Sequence, residues 1–189
     1  MDKGTPPMTC VIMGNGPSLL DAPKELLEKY PTWGCNYVGE FWQPNYYVVV
    51  DRKILDNWSR ILPTARGAQT CYLRNFFPGV PHPAELYDLP NARLLQRGEF
   101  VFPGESTQTG GTSTYIMMKL AYFFGYSLVY LVGVDHSLEH FTPNYPHGVR
   151  PDFLYRERHY RIAAEQYKKA GKRIVNLSAP SVLNEIFQF

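Results

Sequence analysis

Thr9-Cys10-Val11-Ile12-Met13-Gly14-Asn15-Gly16-Pro17-Ser18 is an apolar run that stops on a glycine-rich turn. An apolar run without alternation reads as a strand covered on both faces, the habit of a parallel sheet. Glycines in the turn permit positive φ and close backbone approach. A helix starting just after it would favour an anion above the carboxyl edge of the sheet. The turn is not a dinucleotide fingerprint, because the third glycine is missing, and it lacks the Gly-Lys-Ser/Thr of a Walker A loop. A phosphate or nucleotide site fits it, and so does a plain tight turn. Asn15 and Ser18 fit either ligand contacts or ordinary Asx and Ser turn chemistry.

Further runs repeat the pattern downstream. Residues 32–35, 46–50, 70–73, 92–95, 127–134 and 173–177 read as strands, and 127–134 is the strongest of them. Helices are expected at 24–30, 113–124, 153–170 and 181–187. The helix at 113–124 carries Ile116, Leu120, Phe123 and Phe124 at helical spacing, and that at 153–170 carries Ile162, Ala163, Gln166 and Tyr167. Thr112 or Ser113 can cap the first, and Gly125 and Gly171 can stop them. Helix, strand, helix, strand in this order is a βαβ unit. The fold class that follows is α/β: one Rossmann-like three-layer domain over residues 1–189, with a mostly parallel sheet covered by helices on both faces. Residues 76–112 are irregular and suit a loop over the sheet.

Composition removes several classes. In 189 residues the chain is 44% hydrophobic and 15% aromatic, enough for a core. Its formal net charge is +2 with no basic block, which gives no footprint for nucleic acid. No window reaches a transmembrane length of apolar residues, and the first seven residues have no apolar signal core. Cys10, Cys35 and Cys71 form neither a metal pair nor a disulfide framework; buried free thiols and a cytoplasmic setting are expected.

Strand ends carry polar side chains: Asn36, Asp51 and Asp135 each follow an apolar run. In a parallel sheet these ends share one edge, so they predict a polar crevice with Gly14, Asn15, Gly16 and Ser18. Gly111-Thr112-Ser113 opens the long helix and is a second candidate for binding an anion. His136 and His140 flank Glu139, but no further ligand completes a metal set, and no metal site is expected. Residues 136–155 suit a lid, and Tyr145, Tyr155 and Tyr160 suit donors to a phosphate oxygen. His159 has the pKa range of a general base; an exposed helix histidine fits the sequence equally well. Arg150, Arg156, Arg158 and Arg161 suit either an anion or solvent.

Val-Ile-Met-Gly-Asn-Gly-Pro-Ser-Leu at 11–19, Cys35-Asn36, Gly111-Thr112-Ser113 and Tyr-Leu-Val-Gly-Val-Asp at 130–135 stand in that order. Asn176-Leu177-Ser178 and Ser181-Val182-Leu183-Asn184 follow them. Together they resemble the small bacterial sialyltransferases of the Campylobacter type, and the related Rossmann-like proteins of the archaeal hydroxymethylpterin diphosphokinase type. The first resemblance implies a glycosyltransferase that uses CMP-sialic acid and needs no metal or other cofactor. Asn15 and Gly16 would then lie by the phosphate and ribose, Asn36 would bind the donor, and Thr112 and Ser113 would contact the nucleotide or donor carboxylate. His159, His147 and Tyr155 are the catalytic candidates, although residues 155–159 do not reproduce the family's histidine segment. The second resemblance implies ATP and Mg²⁺, with Asp51 and Asp135 as the acidic pair.

A nucleotide-dependent transferase is therefore the leading expectation, with a diphosphokinase-like enzyme or a non-catalytic nucleotide-binding protein as alternatives. The expected partners are a nucleotide or nucleotide-sugar and a small-molecule or glycan acceptor. A homo-oligomer and a peripheral place at the inner membrane stay open.

Overall fold

The computed structural model describes residues 8–75, 83–96, 98–103, 105, 111–146 and 152–188. Seven strands form one sheet: β1 (Thr9–Met13), β2 (Thr32–Cys35), β3 (Tyr46–Val49), β4 (Thr70–Arg74), β5 (Ala92–Leu95), β6 (Leu128–Val132) and β7 (Arg173–Asn176). Their order is β5-β4-β3-β2-β1-β6-β7 and every pairing is parallel, so the mostly parallel sheet of the sequence reading is parallel throughout. The chain runs outward from β1 to one edge, then returns to place β6 on the other side of β1. That reversal opens a crevice at the carboxyl ends of β1 and β6.

Successive β1 residues explain the three layers. Cys10 and Ile12 point to a core made with α5 (Ser113–Phe123), α6 (Phe153–Lys169) and α7 (Val182–Ile186). Val11 and Met13 point to a second core, shared with α1 (Lys24–Lys29), α2 (Arg52–Leu55), α3 (Trp58–Gly67) and α4 (Ala84–Tyr87). Both faces are thus covered, which is why the strands are apolar without alternating. Cys10, Cys35 and Cys71 are free and buried; burial pushes the Cys35 and Cys71 thiols up to about 12.

Local chemistry sets the helix starts. Asp51 accepts from the Lys53 amide at the head of α2, Thr112 from the Thr114 amide at α5, and Asp152 from the Tyr155 amide at α6. At α7 the Ser181 amide donates to Asn184 Oδ1 at 3.0 Å, half of a capping box.

Two sequence expectations change. Residues 52–67 showed no element, yet they hold α2 and α3, with Pro63 inside α3. Proline removes one ladder donor, and tertiary packing of Ile61, Thr64 and Ala65 overrides that cost. The stripe assigned to α5 holds at Ile116 and Leu120 but not at its last two residues. Phe123 and Phe124 are 45% and 39% exposed, while Thr114, Tyr115, Met117, Met118 and Lys119 are buried. α5 is wedged between the sheet, α6 and the described residues Phe100, Phe102 and Glu105, so no face of its first two turns is left to solvent.

Candidate functional site

The carboxyl edge brings most of the expected residues together. Gly14 N–H donates to Val132 O and Gly16 N–H to Gly133 O, both at 2.8 Å. The Ser18 amide donates to Asp135 Oδ2 at 2.8 Å, and its hydroxyl donates to Asp135 Oδ1. These amides, expected to face an anion, are bound within the protein. The turn therefore works as a seam that locks β1 to β6. Its glycines are needed for contact: a Cβ on Gly14 would lie 2.3 Å from Gly133 O, and one on Gly16 2.3 Å from Asp135 Oδ2.

Asn15 is a buried staple between strands. Its Nδ2 donates to Cys35 O at 3.0 Å, and its Oδ1 accepts from Tyr37 N–H at 3.1 Å. Its own carbonyl accepts from the Phe141 amide at 3.0 Å, tying the segment after β6 back across β1. Next to it, Asn36 has φ +53, a left-handed conformation that asparagine tolerates better than most residues. Its carbonyl accepts from the Tyr47 hydroxyl, and its Nδ2 donates to the Tyr145 hydroxyl at 2.5 Å. Asn36 is buried and its Oδ1 has no hydrogen-bond partner among the described residues. An orphaned buried acceptor is costly, and such positions call for a partner beyond the described residues.

On the other core face, α5 and α6 start side by side. Gly111, at φ +68, lies under Tyr155, with a hypothetical Cβ 3.1 Å from the ring. Thr112 and Thr114 hydroxyls approach the Tyr160 hydroxyl, whose pKa is raised by burial and held down in part by those contacts. Ser113 is buried at the head of α5. His159 is buried as well, so of the two readings left open the exposed helix histidine does not hold. Its Nδ1 lies 2.8 Å from Tyr155 O, so that nitrogen carries the proton and Nε2 keeps a lone pair when the ring is neutral. Its ring packs between Tyr155 at 4.4 Å and Tyr115 at 5.2 Å.

His136 and His140 do not share a face. His136, at φ +55, sets its Nε2 3.2 Å from Glu157 Oε1 and packs on Phe153. His140 stacks on Tyr145 at 3.6 Å. Among the described residues no group of three His, Cys, Asp or Glu could hold a metal. Asp51 stands apart: it ends β3, and the order β3-β2-β1-β6 puts three strand spacings between it and Asp135. At about 4.8 Å per spacing they are separated by about 14 Å. A single Mg²⁺ holds its oxygens about 2 Å away, so this pair does not fit one ion. The His147 and Arg150 candidates lie outside the described residues, as does the part of the 136–155 segment at 147–151.

Burial lowers the His136 pKa below 6.5; Glu157 opposes that shift and Arg156 adds to it. With the folded value below the unfolded one, the unfolded chain takes the proton first as pH falls. Stability due to this group is complete above about pH 6.5 and declines below it. Urea unfolding at about pH 7.5 and about pH 5.5 should show a weaker fold at the lower value, and His136→Gln should narrow the gap. A gap of unchanged size in that variant would clear His136 of the effect.

Several participants were missed in the sequence. Arg60 and Glu40 flank the crevice as an ion pair with Nε–Oε1 2.5 Å. Arg60 lies in the stretch that showed no element, and nothing in its neighbours marks it. Lys119 and Glu105 form a second, buried pair with Nζ–Oε2 2.6 Å, hidden in what read as an amphipathic helix and a loop.

A parallel α/β sheet with its crevice at the β1/β6 reversal defines a Rossmann-like fold, and comparison with solved structures places it more narrowly. The chain superposes on a sialyltransferase CST-II in complex with a trisaccharide acceptor and CMP, with TM-score 0.63 and 16% identity over 95% of this chain and 84% of that one. It superposes on the sialyltransferase CstII from Campylobacter jejuni in complex with CMP-3FNeuAc, with TM-score 0.60 and 16% identity over 96% and 85%. It also superposes on an α-2,3-sialyltransferase from Campylobacter jejuni in apo form, with TM-score 0.59 and 19% identity over 99% and 80%. No protein-family model matches the chain, and no curated protein matches it in sequence. At this identity the likeness establishes the fold. No described helix is long and apolar enough to cross a membrane.

Proposed function

We propose that this chain is a glycosyltransferase of the sialyltransferase kind, taking a CMP-activated sugar as donor and a glycan or small molecule as acceptor. The observation that carries the proposal is the orphaned, buried Asn36 Oδ1 at the carboxyl edge. Beside it the Tyr145 hydroxyl accepts from Asn36 Nδ2 and so keeps its own proton to give. An acceptor and a donor side by side suit a polar ligand such as a ribose, a base edge or a sugar. Two of the three structural neighbours named above were solved with CMP or with CMP-3FNeuAc, which supports the choice of nucleotide.

In this proposal the seam Gly14, Asn15, Gly16 and Ser18, closed by Asp135, forms the floor under the nucleotide. Asn36 holds the donor, and Gly111, Thr112 and Ser113 bound the far wall. Transfer breaks the bond between the anomeric carbon and the phosphate oxygen, forms a bond from the acceptor hydroxyl oxygen to that carbon, and releases CMP. The hydroxyl proton passes to a base, for which His147 and His159 are the candidates; Tyr155, at the head of α6, steadies the departing phosphate. His159 has the correct tautomer but is buried, so its reach to an acceptor depends on the start of α6. The segment 136–155 serves as the lid, and Asp51 is left to cap α2.

Thermal unfolding with CMP, CDP and CTP tests this. At 100 times Kd a ligand stabilises by about 2.7 kcal/mol, a rise of several degrees. Asn36→Gly keeps the left-handed backbone and deletes the amide, and it should weaken CMP affinity about tenfold. A response to ATP with Mg²⁺ but not to cytidine nucleotides would move the chain to the diphosphokinase alternative. Silence across the whole nucleotide panel would sink the nucleotide site itself.

A further inference from the structure

Three described segments meet around Arg60, beside the seam of β1 and β6 but outside its hydrogen bonds. From α3 its Nε and Nη2 bond Glu40 Oε1 and Oε2 at 2.5 and 3.0 Å. Nη2 also donates to Thr142 Oγ1 at 2.8 Å and Nη1 to Asn144 O at 3.3 Å. The guanidinium carbon lies 3.8 Å above the ring of Tyr37, the residue after Asn36. Thr142 is buried and its hydroxyl donates in turn to Glu40 Oε2 at 2.6 Å. One planar fork therefore binds a carboxylate, a hydroxyl and a backbone carbonyl, which a lysine ammonium cannot reproduce.

The next turn of chain carries the consequence. Asn144 adopts φ +57 and turns the chain so that Tyr145 lies on His140 and against Tyr37. From there its hydroxyl reaches Asn36 Nδ2. Without the Arg60 fork, residues 142–144 keep few bonds to the body of the protein, and Tyr145 loses the turn that aims it.

We propose that Arg60, braced by Glu40, is a positioning residue that holds residues 142–144 and thereby sets the Tyr145 hydroxyl beside Asn36 for ligand binding. This builds on the assignment of the crevice as a nucleotide site. Arg60 acts through the loop and needs no contact with the ligand. The low pKa of Glu40, caused first by its hydrogen bond to Arg60, keeps the brace ionised at neutral pH.

The test uses the whole chain and two variants. Arg60→Gln removes the fork. Thr142→Val keeps the Arg60–Glu40 pair and removes the two hydrogen bonds of the Thr142 hydroxyl, to Arg60 and to Glu40, so a misfolded first variant does not end the test. The first readout needs no nucleotide: ring-current shifts of the His140 imidazole protons, set by the stack on Tyr145, should move toward unstacked values in both variants. The second is CMP affinity, which should fall about tenfold in Arg60→Gln and less in Thr142→Val, with urea stability changed little. His140 shifts that stay put, or CMP affinity within twofold of the parent, would overturn the proposal. A parent that ignores CMP while its His140 shifts still respond to Arg60→Gln would uphold the positioning role and remove the nucleotide assignment.

Discussion

Lys119→Met should cost about 3–5 kcal/mol of folding stability, read from urea unfolding of parent and variant. Lys119 and Glu105 have side chains only 5% exposed each, and Nζ sits 2.6 Å from Oε2. The other carboxylate oxygen accepts from the Tyr115 hydroxyl at 2.5 Å. Removing the ammonium leaves a carboxylate buried without its counter-charge, which is the expensive half of a buried pair. The Tyr115 hydroxyl, whose pKa burial and Glu105 push far up, stays protonated and still donates, and the Phe102 amide donates to Oε2 at 3.4 Å, but these two hydrogen bonds cannot stand in for a full charge. Lys119→Met combined with Glu105→Gln should recover most of the loss, because the amide oxygen keeps the Tyr115 bond and no charge is stranded. A single variant as stable as the parent would show that Glu105 finds solvent or another cation.

Gly14→Ala should lose about 3 kcal/mol, the upper end for forced packing, measured in the same way. The added carbon would meet Gly133 O at 2.3 Å and Gly133 C at 2.9 Å. Both are backbone atoms, held by the bond from Gly16 N–H to Gly133 O and, one residue before, that from Gly14 N–H to Val132 O. Neither strand can yield without opening the β1–β6 pairing over which the crevice lies. Gly171→Ala is the control. Gly171 sits past the end of α6 at φ +66 with nothing within 4 Å of a new carbon, so only the left-handed strain of about 1 kcal/mol applies. Equal losses at the two positions would mean that backbone strain, and not the strand seam, makes Gly14 necessary.

These two sites show what periodicity can and cannot reveal. The seven strands were legible because each is an apolar run cut off by a turn residue, and β1, β2 and β5 begin and end where the composition changes. α6 and α7 were legible from spacing and caps. α3 was not, because Pro63 breaks the local signal while packing of Ile61 and Ala65 restores the helix. The α5 stripe misled because a helix enclosed on several sides has no single apolar face.

For the candidate site the division is similar. Asn36 and Asp135 could be placed at one edge from the sequence, since parallel strands end together. Which of them is spent and which is left over could not. Asp135 is taken by Ser18, Asn15 by Cys35 and Tyr37, while Asn36 Oδ1 has no partner among the described residues. Those allocations depend on distances below about 3 Å between residues 20 to 117 positions apart.

By itself, then, the sequence determined the layers, the parallel sheet and the edge where Gly14-Asn15-Gly16-Pro17-Ser18 ends, because hydrophobic period and turn chemistry act locally. Tertiary structure alone decided that this turn is a seam instead of an open anion cradle, and that Arg60, Glu40 and Tyr145 gather around Asn36. Hydrogen-bond partners across the chain are chosen by the packed fold, where each buried donor and acceptor must find its mate, and no local pattern records that choice.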